Sequence, residues 1–187
     1  MLLLAKTMLG GRAGPVGFSA IYTPPTTKNS YDMGMDGGGS PYSVRQVTPA
    51  IPISITQVRV TLLPPTGRTG GRMNLDHMSI GVKGAGNFQT LAVPIELKIA
   101  GASGCNILAT GASVVTDAAL LTANSGDKLV LVYDFVDTGT GNNGFNYTIG
   151  STNDGGYTQQ QTWNVANPTA MTSSGYQGAG FSLIEGQ

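Results

Sequence analysis

The sequence predicts an all-β protein, an antiparallel β-sandwich of jelly-roll type carrying an extended N-terminal arm. Three observations carry that prediction. Apolar and polar residues alternate with a period of two in several runs between residues 51 and 136, the pattern of half-buried strands. Glycine supplies 28 and proline 10 of the 187 residues, enough turn-formers to separate many short strands. Charged residues make up only 11% while hydrophobic residues reach 40%, which argues against a coiled coil, a helical bundle and wholesale disorder. Collagen is excluded because the glycines follow no three-residue period.

Residues 1–50 read as the arm and residues 51–187 as the sandwich domain. The arm begins Met1-Leu2-Leu3-Leu4-Ala5-Lys6 and runs through Gly10-Gly11-Arg12-Ala13-Gly14-Pro15, Pro24-Pro25 and Gly37-Gly38-Gly39. Such a stretch has little periodicity and a high ordering cost, so it needs a surface of its own domain or of a neighbouring subunit. Leu2, Leu3, Leu4, Met8, Leu9, Arg12, Phe18 and Tyr22 are its candidate assembly contacts.

In the domain, Ile53 and Ile55 alternate with Ser54 and Thr56, and Val58, Val60 and Leu62 follow on the opposite parity. That parity change near Thr56-Gln57 predicts a bulge or a strand that switches sheets. Met78, Ile80 and Val82 form the next apolar face. Leu91, Val93, Ile95, Leu97 and Ile99 make five alternations with Pro94 between them, so this strand is expected at an edge or locally unpaired. Thr116–Asn124 fits either a strand or a two-turn helix. Leu129–Val136 is almost continuously apolar, as in a strand covered on both faces. Asn143-Gly144 signals a hairpin before Phe145, Tyr147 and Ile149, Asn153-Asp154-Gly155-Gly156 signals another turn, and Phe181–Ile184 ends the chain as a last strand. Eight to ten strands are expected.

Ten basic and ten acidic residues cancel, so no global field attracts nucleic acid or an anionic membrane. The two halves differ, however. Residues 1–98 hold nine basic against four acidic residues and residues 99–187 one against six, giving about +5 and −5. That polarity serves either a contact between subunits or pairing of the halves within one sandwich. Lys6 interrupts the apolar start after four residues, so no secretory signal is expected, and no run is long enough to span a membrane. Cys105 is the only cysteine, which rules out an intrachain disulfide and reads as a buried structural thiol.

Residues 55–63, 75–83 and 94–135 share a layout of strands and turns in which Arg59, Gly111, Ala112, Asp117, Gly126, Asp127 and Leu129 stand at matching positions. The layout is similar to the β-sandwich accessory domain found beside extracellular SGNH/GDSL-type hydrolases. The resemblance covers less than half the chain and implies the scaffold, with contact to a surface or a glycan. It does not extend to esterase chemistry. The Gly-Asp-Ser-Leu block is absent, its nearest counterpart being Gly126-Asp127-Lys128-Leu129, and no Asp-x-x-His occurs.

Other chemistry is sparse. Asp76 and His77 are adjacent, and in a regular strand they point to opposite faces, so they are not expected to form an acid–base pair. Asp134, Asp137, Asn142 and Asn143 offer hard oxygen donors near a glycine loop, as calcium requires, but lack the EF-type spacing; a self-bonded turn is the simpler reading. Tyr147, Tyr157, Trp163 and Tyr176 lie among Gln and Asn residues, the combination of flat apolar faces and amides that sugar recognition uses, although core packing or a subunit contact uses such residues too. No phosphate loop or basic–aromatic nucleic-acid motif is present, and no cofactor is expected. The expected function is therefore non-catalytic: a bacteriophage virion structural protein (head decoration, tail or fibre) that contacts copies of itself and other virion proteins. A carbohydrate-binding or cell-surface accessory module is the alternative.

Overall fold

Alternating sequence becomes strand because extended backbone throws successive side chains to opposite faces, and a two-sheet core takes up the apolar set. The computed structural model describes residues 17–24, 29–32, 42–64, 72–86, 88–108, 111–136, 144–149, 155–158, 176–178 and 181–187. Its strands are β1 (Ser19–Tyr22), β2 (Asn29–Asp32), β3 (Tyr42–Val47), β4 (Ile55–Leu62) and β5 (Arg72–Val82). Next come β6 (Ile95–Glu96), β7 (Lys98–Ile99), β8 (Ala102–Ser103), β9 (Cys105–Leu108), β10 (Val114–Val115) and β11 (Ala119–Ala123). The last are β12 (Leu129–Phe135), β13 (Gly144–Ile149), β14 (Gly155–Thr158), β15 (Tyr176–Gly178) and β16 (Phe181–Gly186). Among the described residues there is no helix, and every strand pairing is antiparallel.

Two sheets enclose the core. The first runs β1-β16-β4, with β10 and β11 both on the far side of β4; the second runs β14-β3-β12-β5, with β6 and β9 on the far side of β5. Val58, Val60 and Leu62 of β4 and Phe181 and Ile184 of β16 share one buried cluster with Met73, Leu75, Met78 and Ile80 of β5 and Leu129, Leu131, Tyr133 and Phe135 of β12. A third, three-stranded sheet runs β15-β13-β2, and β7-β8 form a separate hairpin. Ala100 and Gly101 at its turn have φ of +50° and +79°, and Asp117 Oδ1 and Oδ2 accept their amides at 3.2 and 2.7 Å.

Strands β4 and β5 each carry one extra residue. In β4, Ile55 and Val58 are both buried although three positions apart, and the Thr56 and Gln57 amides both donate to the Gln187 carbonyl, at 2.7 and 3.1 Å. Two donors on one acceptor mark a β-bulge, and it falls where the parity change predicts it. In β5 the buried set passes from Met73 and Leu75 to Met78 and Ile80. Opposite it, Asp134 pairs with His77 and the next residue, Phe135, pairs with Leu75, so Asp76 is the extra residue. Gly104 closes against this second bulge. Its φ is +69°, and a Cβ there would meet the Leu75 and Asp76 carbonyl oxygens well inside contact distance, so no side chain fits.

All seven residues of β12 are buried, as its continuous apolar run predicts. Leu129, Leu131, Tyr133 and Phe135 face the main core, while Val130 and Val132 form a second cluster with Val47 and Phe88. The cover on that outer side is the segment after β5, where Phe88 and Pro94 are buried.

Several expectations need correction. The five-alternation strand from Leu91 to Ile99 does not form: Leu91 and Val93 are 73% and 62% exposed, Pro94 is buried, and ladder pairing begins only at Ile95. The segment leaves the ladder to cover the outer face, which alternation alone does not reveal. Ile53 is exposed because it sits in the bend before β4, and Ile51 takes the buried place. Residues 119–123 of the stretch open to two readings are strand β11. Gly144 begins a strand that pairs with β2 and β15, not with β12, and Gly155-Gly156 lie within β14 rather than in a turn. The described parts of residues 1–50 are built into the sheets: β1 beside β16, β2 beside β13, and β3 between β12 and β14. Leu2, Leu3, Leu4, Met8, Leu9 and Arg12 lie outside the described residues.

These pairings bring the basic half against the acidic half within one chain. Arg59 on β4 donates from Nε and Nη2 to both carboxylate oxygens of Glu185 on β16, at 2.7 and 2.9 Å, and its guanidinium lies 4.5 Å from the Phe18 ring centre. Tyr22 packs its ring on Phe181, 5.8 Å between centres. The hydrogen bonds from Arg59 hold the Glu185 carboxyl below its ordinary value of 4.5, so the stabilisation is full above that pH and fades as pH falls through the lowered pKa. Glu185→Gln should therefore unfold at lower urea concentration than the parent at pH 7, with the two midpoints converging as pH falls through the lowered Glu185 pKa.

Candidate functional site

The polar residues with chemical potential collect on the outer face of the second sheet. In β3, Val44 points to the core and Val47 to the outer cluster, so Arg45 shares the outer face. Register sets Asp134 opposite His77 on one side and Ser43 on the other, while Val132 stands opposite Arg45 and Ser79. Arg45 and Asp134 are thus diagonal neighbours, both buried, with the half-buried His77 on the next strand. Burial pulls the Arg45 guanidinium below its ordinary value, and the Asp134 charge works in the opposite direction. Arg45 Nη1 also donates to the Phe88 carbonyl at 3.1 Å, joining this buried guanidinium to the covering segment.

The β5 bulge changes the relation of Asp76 to His77. His77 Nδ1 lies 3.0 Å from Asp76 Oδ2, a proximity that regular alternation forbids and the extra residue creates. The contact meets the distance for a hydrogen bond but not its direction, so it is a close approach without an aligned proton path. The expectation that these neighbours point to opposite faces and so stay apart is corrected by this contact. Ser79, two residues along the same face, is fully covered.

Cys105 belongs to the other side of the same sheet. It stands opposite the core residue Leu75 in β9 and packs against the main cluster, and burial pushes its thiol up to about 11. A thiol so placed is protonated at neutral pH and is separated from His77 by the sheet, so the two do not form a nucleophile–base pair. The Tyr133 hydroxyl, close enough to Tyr22 and Cys105 to feel both, is also held well above its ordinary pKa, chiefly by burial.

Of the proposed sugar-contact residues, Tyr147 and Tyr176 fall on paired strands, Tyr147 opposite Gly178 and Ile149 opposite Tyr176. Tyr157 pairs with Val44 in the second sheet, and Trp163 lies outside the described residues. Of the proposed calcium donors, Asp134 is buried beside Arg45, while Asp137, Asn142 and Asn143 lie outside the described residues. No cluster of three or more metal-ligating side chains occurs among the described residues. Arg45 entered the sequence reading only as part of the arm, because its partner lies 89 positions away and only strand register brings the two together.

No protein-family model matches the chain, and a search of curated proteins finds no match. The turn residues behind the resemblance noted above have local structural tasks. Asp117 holds the β7-β8 turn, and Asp127 Oδ2 accepts the Asn124 amide at 2.8 Å beside Gly126, whose φ is +94°.

Asp134→Ala should destabilise the fold, because it removes the negative charge that favours the buried Arg45 guanidinium. Arg45→Met combined with Asp134→Leu should cost clearly less than the two single changes added together. Urea unfolding of the four proteins in a double-mutant cycle measures the difference.

Proposed function

We propose that the chain is a non-catalytic structural protein of a bacteriophage virion, a head-decoration, tail or fibre component. In this reading it assembles as a homo-oligomer through its N-terminal residues and a sandwich of jelly-roll type, against copies of itself and other virion proteins. The observation that carries the reading is the surface. Leu91, Val93, Leu108, Val115, Leu120 and Ile53 stand exposed on a chain with only 11% charged residues. Such a surface suits permanent contact better than life as a dispersed monomer. Outer strands β1, β6, β9, β10, β11 and β14 have at most five residues, so faces and the N-terminal segment suit assembly better than edge-to-edge strand addition. The off-axis Asp76–His77 contact, the covered Ser79 and the partly buried Cys105, its thiol pushed up to about 11, give no support to a catalytic alternative.

One observation favours a carbohydrate-binding or cell-surface accessory module as the second reading. Tyr147 and Tyr176, distant in sequence, lie on neighbouring strands of the third sheet. Under that reading Trp163→Ala should lose retention on a glycan array, whereas failure of the intact protein to bind any glycan counts against it.

The assembly reading makes a direct demand on mass in solution. Sedimentation should show a defined oligomer or concentration-dependent association, and Val115→Lys with Leu120→Lys should reduce it by at least about tenfold in affinity. Removing residues 1–16 should abolish assembly yet leave a folded sandwich; a longer truncation would also strip β1 and β2 from their sheets. A monomer at every concentration sinks the proposal.

A further inference from the structure

The segment between β5 and β6 holds two incompatible registers on one strand. Ile95 stands opposite Ile80, and the Leu97 amide donates to the Met78 carbonyl at 2.8 Å. Nearer the turn, the Leu91 amide donates to the Val82 carbonyl at 2.7 Å, Thr90 bridges Lys83, and the Gly84 amide donates to the Gln89 carbonyl at 2.6 Å. Only Gly81 separates Ile80 from Val82, yet Ala92, Val93 and Pro94 separate Leu91 from Ile95. Two residues are therefore in excess and looped out of the ladder.

The looped register carries visible costs. Phe88, a buried aromatic residue, has φ of +53°, in the left-handed region that side chains rarely adopt. Thr90 Oγ1 and Ser79 Oγ are buried with no hydrogen-bond partner among the described residues. What holds the register is the Phe88 ring in the cluster of Val47, Val130 and Val132, and the hydrogen bond from Arg45 Nη1 to the Phe88 carbonyl.

Continuing the register of Ile95 along β5 would place Val93 opposite Val82 and Leu91 opposite Gly84. Hydrogen-bonded and non-bonded pairs alternate along an antiparallel ladder, and Leu97–Met78 is bonded, so Val93–Val82 would be bonded and Pro94–Gly81 non-bonded. Proline lacks an N–H and is tolerated at such a place on an edge strand. Val93 donates none of the described backbone hydrogen bonds in the looped register, so its N–H is available to take the Val82 carbonyl from Leu91. A slip of two residues also keeps every side chain on its own face.

We propose that Phe88–Pro94 is a two-register strap. In one state it is looped and plugs the outer cluster with Phe88. In the other it extends β6 back through Pro94 and Val93 to Leu91 alongside β5, withdraws Phe88 and uncovers Val47, Val130, Val132 and the Arg45 guanidinium as a surface patch. The Val82 carbonyl is the acceptor for which the Leu91 and Val93 amides compete.

Nuclear magnetic resonance on the whole chain tests this. The unmodified protein should show millisecond exchange at Leu91, Val93 and the methyls of Val47, Val130 and Val132, all with one rate. Phe88→Ala should favour the extended state, slowing hydrogen exchange of the Val93 amide at least about tenfold. It should also replace the Thr90–Lys83 Hα contact by one between Ala92 and Lys83. Val93→Pro removes the N–H that only the extended state uses and should abolish the millisecond exchange. A folded Phe88→Ala variant that keeps the Thr90–Lys83 contact and a fast Val93 amide overturns the proposal. Should that variant not fold, absence of exchange in the unmodified chain, or its persistence in Val93→Pro, overturns it equally.

Discussion

Register at the two bulges is the constraint on which the other contacts depend. The strands β4 and β5 contribute to one core, and each carries one extra residue, near Thr56-Gln57 and at Asp76, that must be absorbed in a bulge if its apolar side chains are to share a single face. Without the bulge in β5, one end of the strand or the other presents the wrong face. Turning Met73 and Leu75 outward would forfeit about 1.5–3 kcal/mol for each side chain. Both irregularities are closed locally: Gln187 closes the first with a shared carbonyl, and Gly104 fits the second because it has no side chain.

The second sheet is covered on both sides and the first is not, and the polar chemistry follows from that asymmetry. On the outer face of β12, Val130 and Val132 are sealed by Phe88, and the next outward position is the buried Asp134. A carboxylate there requires a cation, which β3 supplies as Arg45. The bulge then brings Asp76 beside His77 at the margin of the same row. Arg45, Asp134, Asp76 and His77 are thus brought together by strand register and coverage. The first sheet leaves Val115 and Leu120 in the open, and they are part of the exposed apolar set on which the assembly reading rests.

Much of the architecture was legible in the sequence where a local pattern has one physical meaning. Continuous apolar residue from Leu129 onward meant burial on both faces, and the parity change after Ile55 meant a bulge. The same parity signal stands between Leu75 and Met78, yet reading the apolar face from Met78 alone hid it. Leu91 to Ile99 failed for a different reason. A period of two reports extended backbone but not where a ladder begins, and here the segment is diverted to cover an outer face. The Arg45–Asp134 pair was not legible at all, since residues far apart in sequence become neighbours only through the order of strands. Function was less legible still, because composition and exposed apolar side chains favour assembly without naming a partner.

Deletion of single residues in β5, followed by urea unfolding, tests the dependence on register most directly. Removing Asp76 takes out the extra residue and leaves Met73, Leu75, Met78 and Ile80 in strict alternation, so the protein should remain folded with a loss of no more than about 2 kcal/mol. Removing Ser79 instead shifts the remainder of the strand by one position and should abolish cooperative folding. If deletion of Asp76 unfolds the protein as completely as deletion of Ser79, the bulge is not what sets the core.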